Sequence, residues 1–438
     1  MTLVVPISSR SRPPLTQADA NGRRTLTDAT GTGADEGTPG AKGGSRGGSD
    51  SQRRSGGRGD RGGATRERTR NRRRRGRTGP VACSLMFGMS RRQAFVVMAI
   101  VATTVLAGVL STAGAPPVAT FVVSALALAG LAWLVSKSTE AVGERFGPAV
   151  TGVLQSTLGN LPELFVVFFA LQAGEVAVAQ TSLLGSLFSN ALLVLGLVIV
   201  AGTRASKDGV MRFHKRLPQD TSTLLILSLF IIAVLGIAVS SHDPAARHRV
   251  AISAIASVGL IAVYVVWLVR YLRDDTVASN EGVEPTGIPL PTAITMLAAA
   301  GVGAALVSDW FIAALDPAVK TLHLSKPFAG LVIVAIAGNA VENVAGVALA
   351  AKGRHDLAIS VVKNSVGQIA AFLFPALILL SLLLHTRLTF VVAPVYIGAL
   401  ALTALALWQI TGDGEAYAFE GWALIVLFGV LAVVAFFQ

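Results

Sequence analysis

Two glutamates stand inside long apolar stretches, Glu163 and Glu342, and each follows a Gly-Asn pair, Gly159-Asn160 and Gly338-Asn339. A carboxylate in a bilayer span costs on the order of 2.5–3.5 kcal/mol to insert, so such residues mark ion or proton pathways. Each asparagine lies three residues before its glutamate and therefore on the same helical face. Carboxylate and amide oxygens suit hard cations such as Ca²⁺, whereas soft metals prefer sulfur and nitrogen. A desolvated carboxylate also favours its protonated form until a cation replaces the proton. The chemistry on offer is competition between a cation and protons for the same oxygens.

The two segments repeat each other. Gly159, Asn160 and Glu163 match Gly338, Asn339 and Glu342; Ser186 matches Ser365, and Ser189 matches Gln368. All five pairs share one offset, 342 − 163 = 179 residues. Ser182, Ser186, Ser189 and Asn190 form a polar stripe on one apolar helix, and Asn364, Ser365 and Gln368 do the same on another. Pro162 and Gly159 loosen the helix before Glu163 and free backbone carbonyls, whereas the second copy keeps only the glycine. Serine and amide side chains in spans also bind helices together, the simpler reading for Ser182, Ser308 and Ser381. That reading leaves two buried glutamates in register unexplained.

The elements that position these groups are membrane spans. Of 438 residues 52% are hydrophobic and 14% charged, against about a quarter charged in soluble domains. Residues 1–92 hold 20 Lys+Arg and 7 Asp+Glu, a net of +13; the rest holds 17 and 18, a net of −1. The basic segment reads as a disordered cytoplasmic tail beside anionic lipid, and no nucleic-acid module accompanies it. Met86 and Met89, just before the first span, are alternative starts. The single Cys83 excludes disulfides within the chain, and no two of the six histidines stand at i,i+4, so a histidine metal site has no support.

Eleven apolar runs are long enough to span, and the expected fold class is an all-α integral membrane protein with eleven transmembrane helices. The reading divides the chain into the tail (1–92), an extra first span (93–116), a first repeat (117–272), a linker (273–288) and a second repeat (289–438). The copies occupy spans three and four, then eight and nine. An odd shift of five spans inverts the second copy, giving an inverted five-plus-five repeat with its site near mid-membrane. The basic loops at 203–219 and 352–355 fall on the tail's side, which places the N-terminus in the cytoplasm of a multi-pass plasma-membrane protein.

The two GNxxE segments, Thr139-Glu140, the Gly185-Ser186-Leu187-Phe188-Ser189-Asn190 stretch and the later SxxQ resemble the calcium/proton exchanger family of the calcium/cation antiporter superfamily. The resemblance runs from about residue 120 to the end. It implies one extra N-terminal span before five plus five, with Glu163 and Glu342 as central cation ligands. Asn160, Asn339, Ser186 and Gln368 would stand around them, and Ser189 and Ser365 join them through the polar stripes. The GN signature resembles the proton-coupled branch. Three positions depart from the family: Asn343 replaces a histidine, Asn364 replaces a glycine, and Lys363 sits where the family is apolar. The stem of Lys363 is long enough to carry its ammonium back to the cytoplasmic surface.

The expected function is secondary antiport of Ca²⁺ or a related cation against H⁺, with Na⁺/H⁺ or Na⁺/Ca²⁺ exchange as alternatives and a channel as a weaker one. No cofactor is expected, since Ca²⁺ and H⁺ are the cargo. No nucleophile–base pair suggests an enzyme. Lipid is the expected surrounding partner, and a homo-oligomer is compatible with the sequence.

Overall fold

A computed structural model of the protein describes residues 91–143, 154, 157–273 and 287–438. The basic tail, Cys83, Met86, Met89, the start of the expected third span and the linker acids Asp274, Asp275, Glu281 and Glu284 lie outside the described residues.

Helices dominate the rest. In order they are α1 (Arg91–Thr112), α2 (Pro117–Gly143), α3 (Leu161–Gln172) and α4 (Val176–Ala205). The short strand β1 (Val210–Arg212) follows, then α5 (Arg216–Ser240), α6 (Arg249–Arg273) and α7 (Leu290–Thr321). The second half continues with α8 (Lys326–Gly338), α9 (Ala340–Ala351) and α10 (His355–Ser381). It ends with α11 (Pro394–Thr411), the strand β2 (Glu415–Tyr417) and α12 (Ala418–Phe436). Among the described residues nine helices are long and apolar enough to cross a bilayer, ten if α8 and α9 form one bent span. α3 is shorter, and the residues just before it are outside the described set. The count of eleven therefore still rests on the sequence.

Repeat-equivalent positions share backbone geometry. Gly174 and Gly353, 179 residues apart, end α3 and α9 with φ of 80° and 77°, a left-handed turn that a glycine takes without strain. The residues that follow, Glu175 and Arg354, cap α4 and α10 with φ/ψ of −84°/64° and −88°/67°. The turns match in shape and differ in charge.

α4 and α10 each carry one π-helical stretch, Ser189–Val194 and Ile369–Leu373. These two spans lie innermost. α4 packs on α8, α9 and α12, α10 packs on α9, α5 and α6, and α2 packs along α7. At the α4–α8 crossing a Cβ on Gly185 would strike the backbone of Leu331, and one on Gly330 would strike Thr181. Only glycine permits this approach, the small-residue packing that membrane helices use where water supplies no driving force.

The all-α expectation needs one correction. β1 and β2 pair antiparallel, Val210 with Tyr417 and Arg212 with Glu415, because both loops are short extended segments meeting on one face of the bundle. Strands of three residues carry no readable periodicity. The ribbon constrains topology: its strands lie on one face, so an even number of crossings separates Ala205 from Ala418. α5, α6, α7, α10 and α11 give five, and α8 with α9 must supply the sixth as a single bent crossing. The opposite face agrees. There Lys326 Nζ bonds the Glu175 carboxylate at 2.7 and 2.9 Å, Gln180 donates to Val391 O at 2.8 Å, and Tyr396 donates to Gln438 Oε1 at 2.6 Å.

Candidate functional site

Both glutamates sit at a break. Asn160, with φ/ψ of −85°/8°, precedes α3, and Pro162 occupies its first turn. Asn339, at −100°/11°, separates α8 from α9, and the segments meet at 56°. The second copy is thus broken without a proline. Glu163 and Glu342 are each the third residue of the helix that follows, where the positive end of the helix dipole favours a negative charge by about 0.3–1 kcal/mol. Glu163 is 2% exposed. The side chain of Glu342 lies outside the described residues; its backbone position is defined.

The repeats touch at this level. A methyl group placed on Gly338 would stand 3.9 Å from Cβ of Glu163, so the two GN signatures face each other. Two hydrogen-bonded sets cross between repeats. Asn160 Nδ2 donates to Gln368 Oε1 at 3.0 Å, and Gln368 Nε2 donates to Thr157 Oγ1 at 3.1 Å. Asn190 Nδ2 donates to Asn339 Oδ1 at 3.2 Å, to Ser365 Oγ at 3.2 Å and to Ser186 O at 3.0 Å.

The orientation of these amides follows from backbone carbonyls. Asn339 Nδ2 donates to Ala335 O at 3.0 Å, which turns its Oδ1 toward Asn190. Asn190 must then present nitrogen to Asn339 and to Ser186 O, since two acceptors cannot share a hydrogen bond without a proton between them. Asn190 Oδ1 points away from that set. It is buried without a hydrogen-bond partner, as are the hydroxyls of Ser182, Ser186 and Ser189 and the Oδ1 atoms of Asn343 and Asn364. Buried oxygens lacking donors are costly unless a ligand or water completes them. They are the atom type a hard cation takes.

Six of the eight sequence-derived site residues are buried together: Asn160, Glu163, Ser186, Asn339, Ser365 and Gln368 share the α3–α4–α8–α10 junction. Ser189 is fully buried on α4, and its hydroxyl makes no hydrogen bond among the described residues. The sequence pairing of Ser189 with Gln368 missed the residue that bonds across the repeats, Asn190. The π-helical stretch begins at Ser189 in α4 but at Ile369 in α10, which shifts the polar register by one. The amide in the SxxSN stretch was the available signal.

Lys363 corrects another expectation. Its side chain does not reach the surface: it is fully buried, and Nζ donates to Thr411 Oγ1 at 3.3 Å. The end of α11 and the β1–β2 ribbon close the face toward which it would extend. Among the described residues no three His, Cys, Asp or Glu side chains gather, so the donor set is carboxylate, amide and hydroxyl oxygen.

Comparison with known proteins agrees with this geometry. The sodium/calcium exchanger protein family matches residues 116–272 and 292–437. The vacuolar calcium ion transporter of Schizosaccharomyces pombe is 31% identical over 72% of this chain and 78% of its own length. The Ca²⁺/H⁺ antiporter ChaA of Bacillus subtilis is 29% identical over 73% of this chain and 92% of its own. The crystal structure of the Ca²⁺/H⁺ antiporter YfkE matches with a TM-score of 0.65 at 25% identity, covering 79% of this chain and all of the other.

Proposed function

The chain belongs to the sodium/calcium exchanger protein family, and from that premise we propose how it exchanges Ca²⁺ for H⁺ across the membrane in which it is embedded. The observation that carries the proposal is Glu163: a carboxylate 2% exposed, at a helix break, facing the matching break of the other repeat. In the proposed site Glu163 and Glu342 hold the cargo, and Asn160, Asn190, Ser186 and Ser189 offer further oxygens. Asn339, Ser365 and Gln368 orient the amides.

Taken out of water, a carboxylate is stable either neutral or beside a cation. One Ca²⁺ therefore displaces about two protons, and protons displace Ca²⁺ in turn. Both cannot occupy the site at once, so the two flows are coupled by competition. The cargo is substrate, and the reading includes no cofactor and no catalytic chemistry.

Arg204, Lys207, Arg212, Lys215, Lys352 and Arg354 lie in or beside the turns of the β1–β2 face, so we place that face and the N-terminus in the cytoplasm of a cell membrane.

The test is uptake of radiolabelled Ca²⁺ into vesicles containing the purified protein, with and without an imposed pH gradient. Uptake should require the gradient, and Glu163→Gln should abolish it while inserting normally. Wild-type flux in that variant would sink the assignment.

A further inference from the structure

A third carboxylate stands close to the level of the site. The sequence puts Asp220 at the first residue of a span, which reads as a surface position. The structure places it deeper. Its neighbour Thr221 lies with Cγ2 3.4 Å from where a Cβ on Gly367 would stand. Gly367 is the thirteenth residue of α10, about 18 Å along the helix from His355. Gln368, the partner of Asn160, comes next. α5 is registered along α10 in the same sense further on, where Ser228 Oγ donates to Ala370 O at 3.0 Å.

Asp220 is held by an aromatic ladder on α6. Trp267 Nε1 donates to Asp220 Oδ2 at 3.3 Å. The Trp267 ring lies 5.6 Å from Tyr264 and 5.4 Å from Tyr271. The Tyr264 hydroxyl hydrogen-bonds Gln368, and that of Tyr271 hydrogen-bonds Asn364. A line of polar groups thus runs from Asn160 through Gln368 and Tyr264 to Asp220.

The charged and titratable groups around Asp220 are few. α5 brings Lys215 and Arg216 at its start, the side chain of the latter outside the described residues. α6 brings Tyr264, Arg270 and Tyr271, α10 brings Lys363, and α11 brings only Tyr396, near the opposite face. Among the described residues none forms an ion pair with Asp220, and Lys363 is turned to Thr411. A carboxylate with one neutral indole donor is poorly compensated as a structural anion. It is well placed to accept a proton.

We propose that Asp220 is the proton-relay carboxylate between the site and the β1–β2 face, resting on the Ca²⁺/H⁺ reading above. Protons displaced from Glu163 pass by way of the Tyr264 hydroxyl and intervening water to Asp220, and from there to bulk water. Ca²⁺ does not visit Asp220. The relay serves proton movement alone.

The discriminating experiment compares two modes of the reconstituted protein, Ca²⁺/H⁺ exchange and Ca²⁺/Ca²⁺ self-exchange, the second moving no net protons. Asp220→Asn should slow Ca²⁺/H⁺ exchange at least about tenfold, the low end of what a positioned acid–base group supplies. Self-exchange should stay within about twofold of wild type, and Asp220→Glu should restore the coupled mode. Trp267→Phe keeps the carboxylate and should retain most of it. Equal slowing of both modes in Asp220→Asn would make Asp220 structural and overturn the proposal, as would no effect on either. Self-exchange in the wild type without any proton-coupled mode would instead overturn the Ca²⁺/H⁺ reading on which it rests.

Discussion

Asn160 in the first half of the chain and Gln368 in the second, 208 residues apart, share a buried hydrogen bond of 3.0 Å. The two halves are thereby joined at the level of the glutamates by side chains and not by packing alone. Partners in direct contact show non-additive energies of about 0.5–3 kcal/mol. A double-mutant cycle of Asn160→Ala and Gln368→Ala, read as Ca²⁺ affinity, should show a coupling in that range. A coupling near zero would mean that the contact positions nothing.

Asn190 should matter as much as the residues of the GN signatures. Removing its amide strands Asn339 Oδ1 and Ser365 Oγ, at a cost of roughly 1–3 kcal/mol for unmet buried groups. Asn190→Ala should weaken Ca²⁺ binding about 10- to 100-fold. Asn190→Asp should do no better, since it sets oxygen against Ser186 O and Asn339 Oδ1. Binding isotherms on purified protein decide the matter.

Gly185→Ala should harm the protein by a different route. Its Cβ would meet the Leu331 backbone, which cannot swing aside as a flexible side chain can, so α4 and α8 must separate. A loss of about 1–3 kcal/mol in stability is expected for such overpacking, seen as a lower melting temperature in detergent. Gly398→Ala, where a Cβ would meet nothing within 4 Å, is the control and should melt like wild type.

The β1–β2 ribbon predicts its own cross-link. Val210 and Tyr417 are directly paired, and antiparallel partners have Cα atoms about 4.5–5.5 Å apart, within disulfide range. With Cys83 replaced by serine, Val210→Cys combined with Tyr417→Cys should oxidise to a cross-linked form in membranes. The two single variants should react with impermeant thiol reagents from one side only. Labelling from opposite sides would break the topology.

The pH dependence of transport should not come from this ribbon. Hydrogen bonding from Arg212 and from the Val210 amide holds the exposed Asp208 carboxyl below its usual range, and Arg212 is correspondingly held protonated. A lowered carboxyl contributes fully above its unfolded value and loses its contribution only as pH falls through the lowered one. Between about pH 6 and 8 the pair does not titrate. Asp208→Asn should leave the pH profile of Ca²⁺ uptake superimposable on wild type across that interval. A displaced profile would mean that the ribbon takes part in proton coupling.

Residue type and spacing carried most of the site into view. Glutamates in apolar runs stand out because their insertion is costly, and a fixed offset between Asn160 and Asn339 survives any uncertainty about span ends. What escaped notice depends on geometry that hydropathy does not encode. The break at Asn339 forms without the proline that marks its twin. The register of Asn190 follows from a π-helical stretch, which no residue pattern announces. Asp220 reads as a border residue because helix tilt is set by packing, as at Thr221 against Gly367, and not by composition. Lys363 is buried because two loops distant in sequence meet above it.

The π-helical stretches also date the architecture. Each is a place where a helix holds one residue more than regular winding needs, and losing that residue would turn everything beyond it by about 100°. Ordinary helix resumes at Leu195 in one half and at Phe374 in the other, still 179 residues apart. The same interval separates Gly174 from Gly353 before the stretches begin. Had either insertion arisen after the halves diverged, the interval would change by one across it. The extra residue was present in the ancestral single copy before the gene doubled, so the irregularity beside the site is older than the two-fold arrangement that now encloses it.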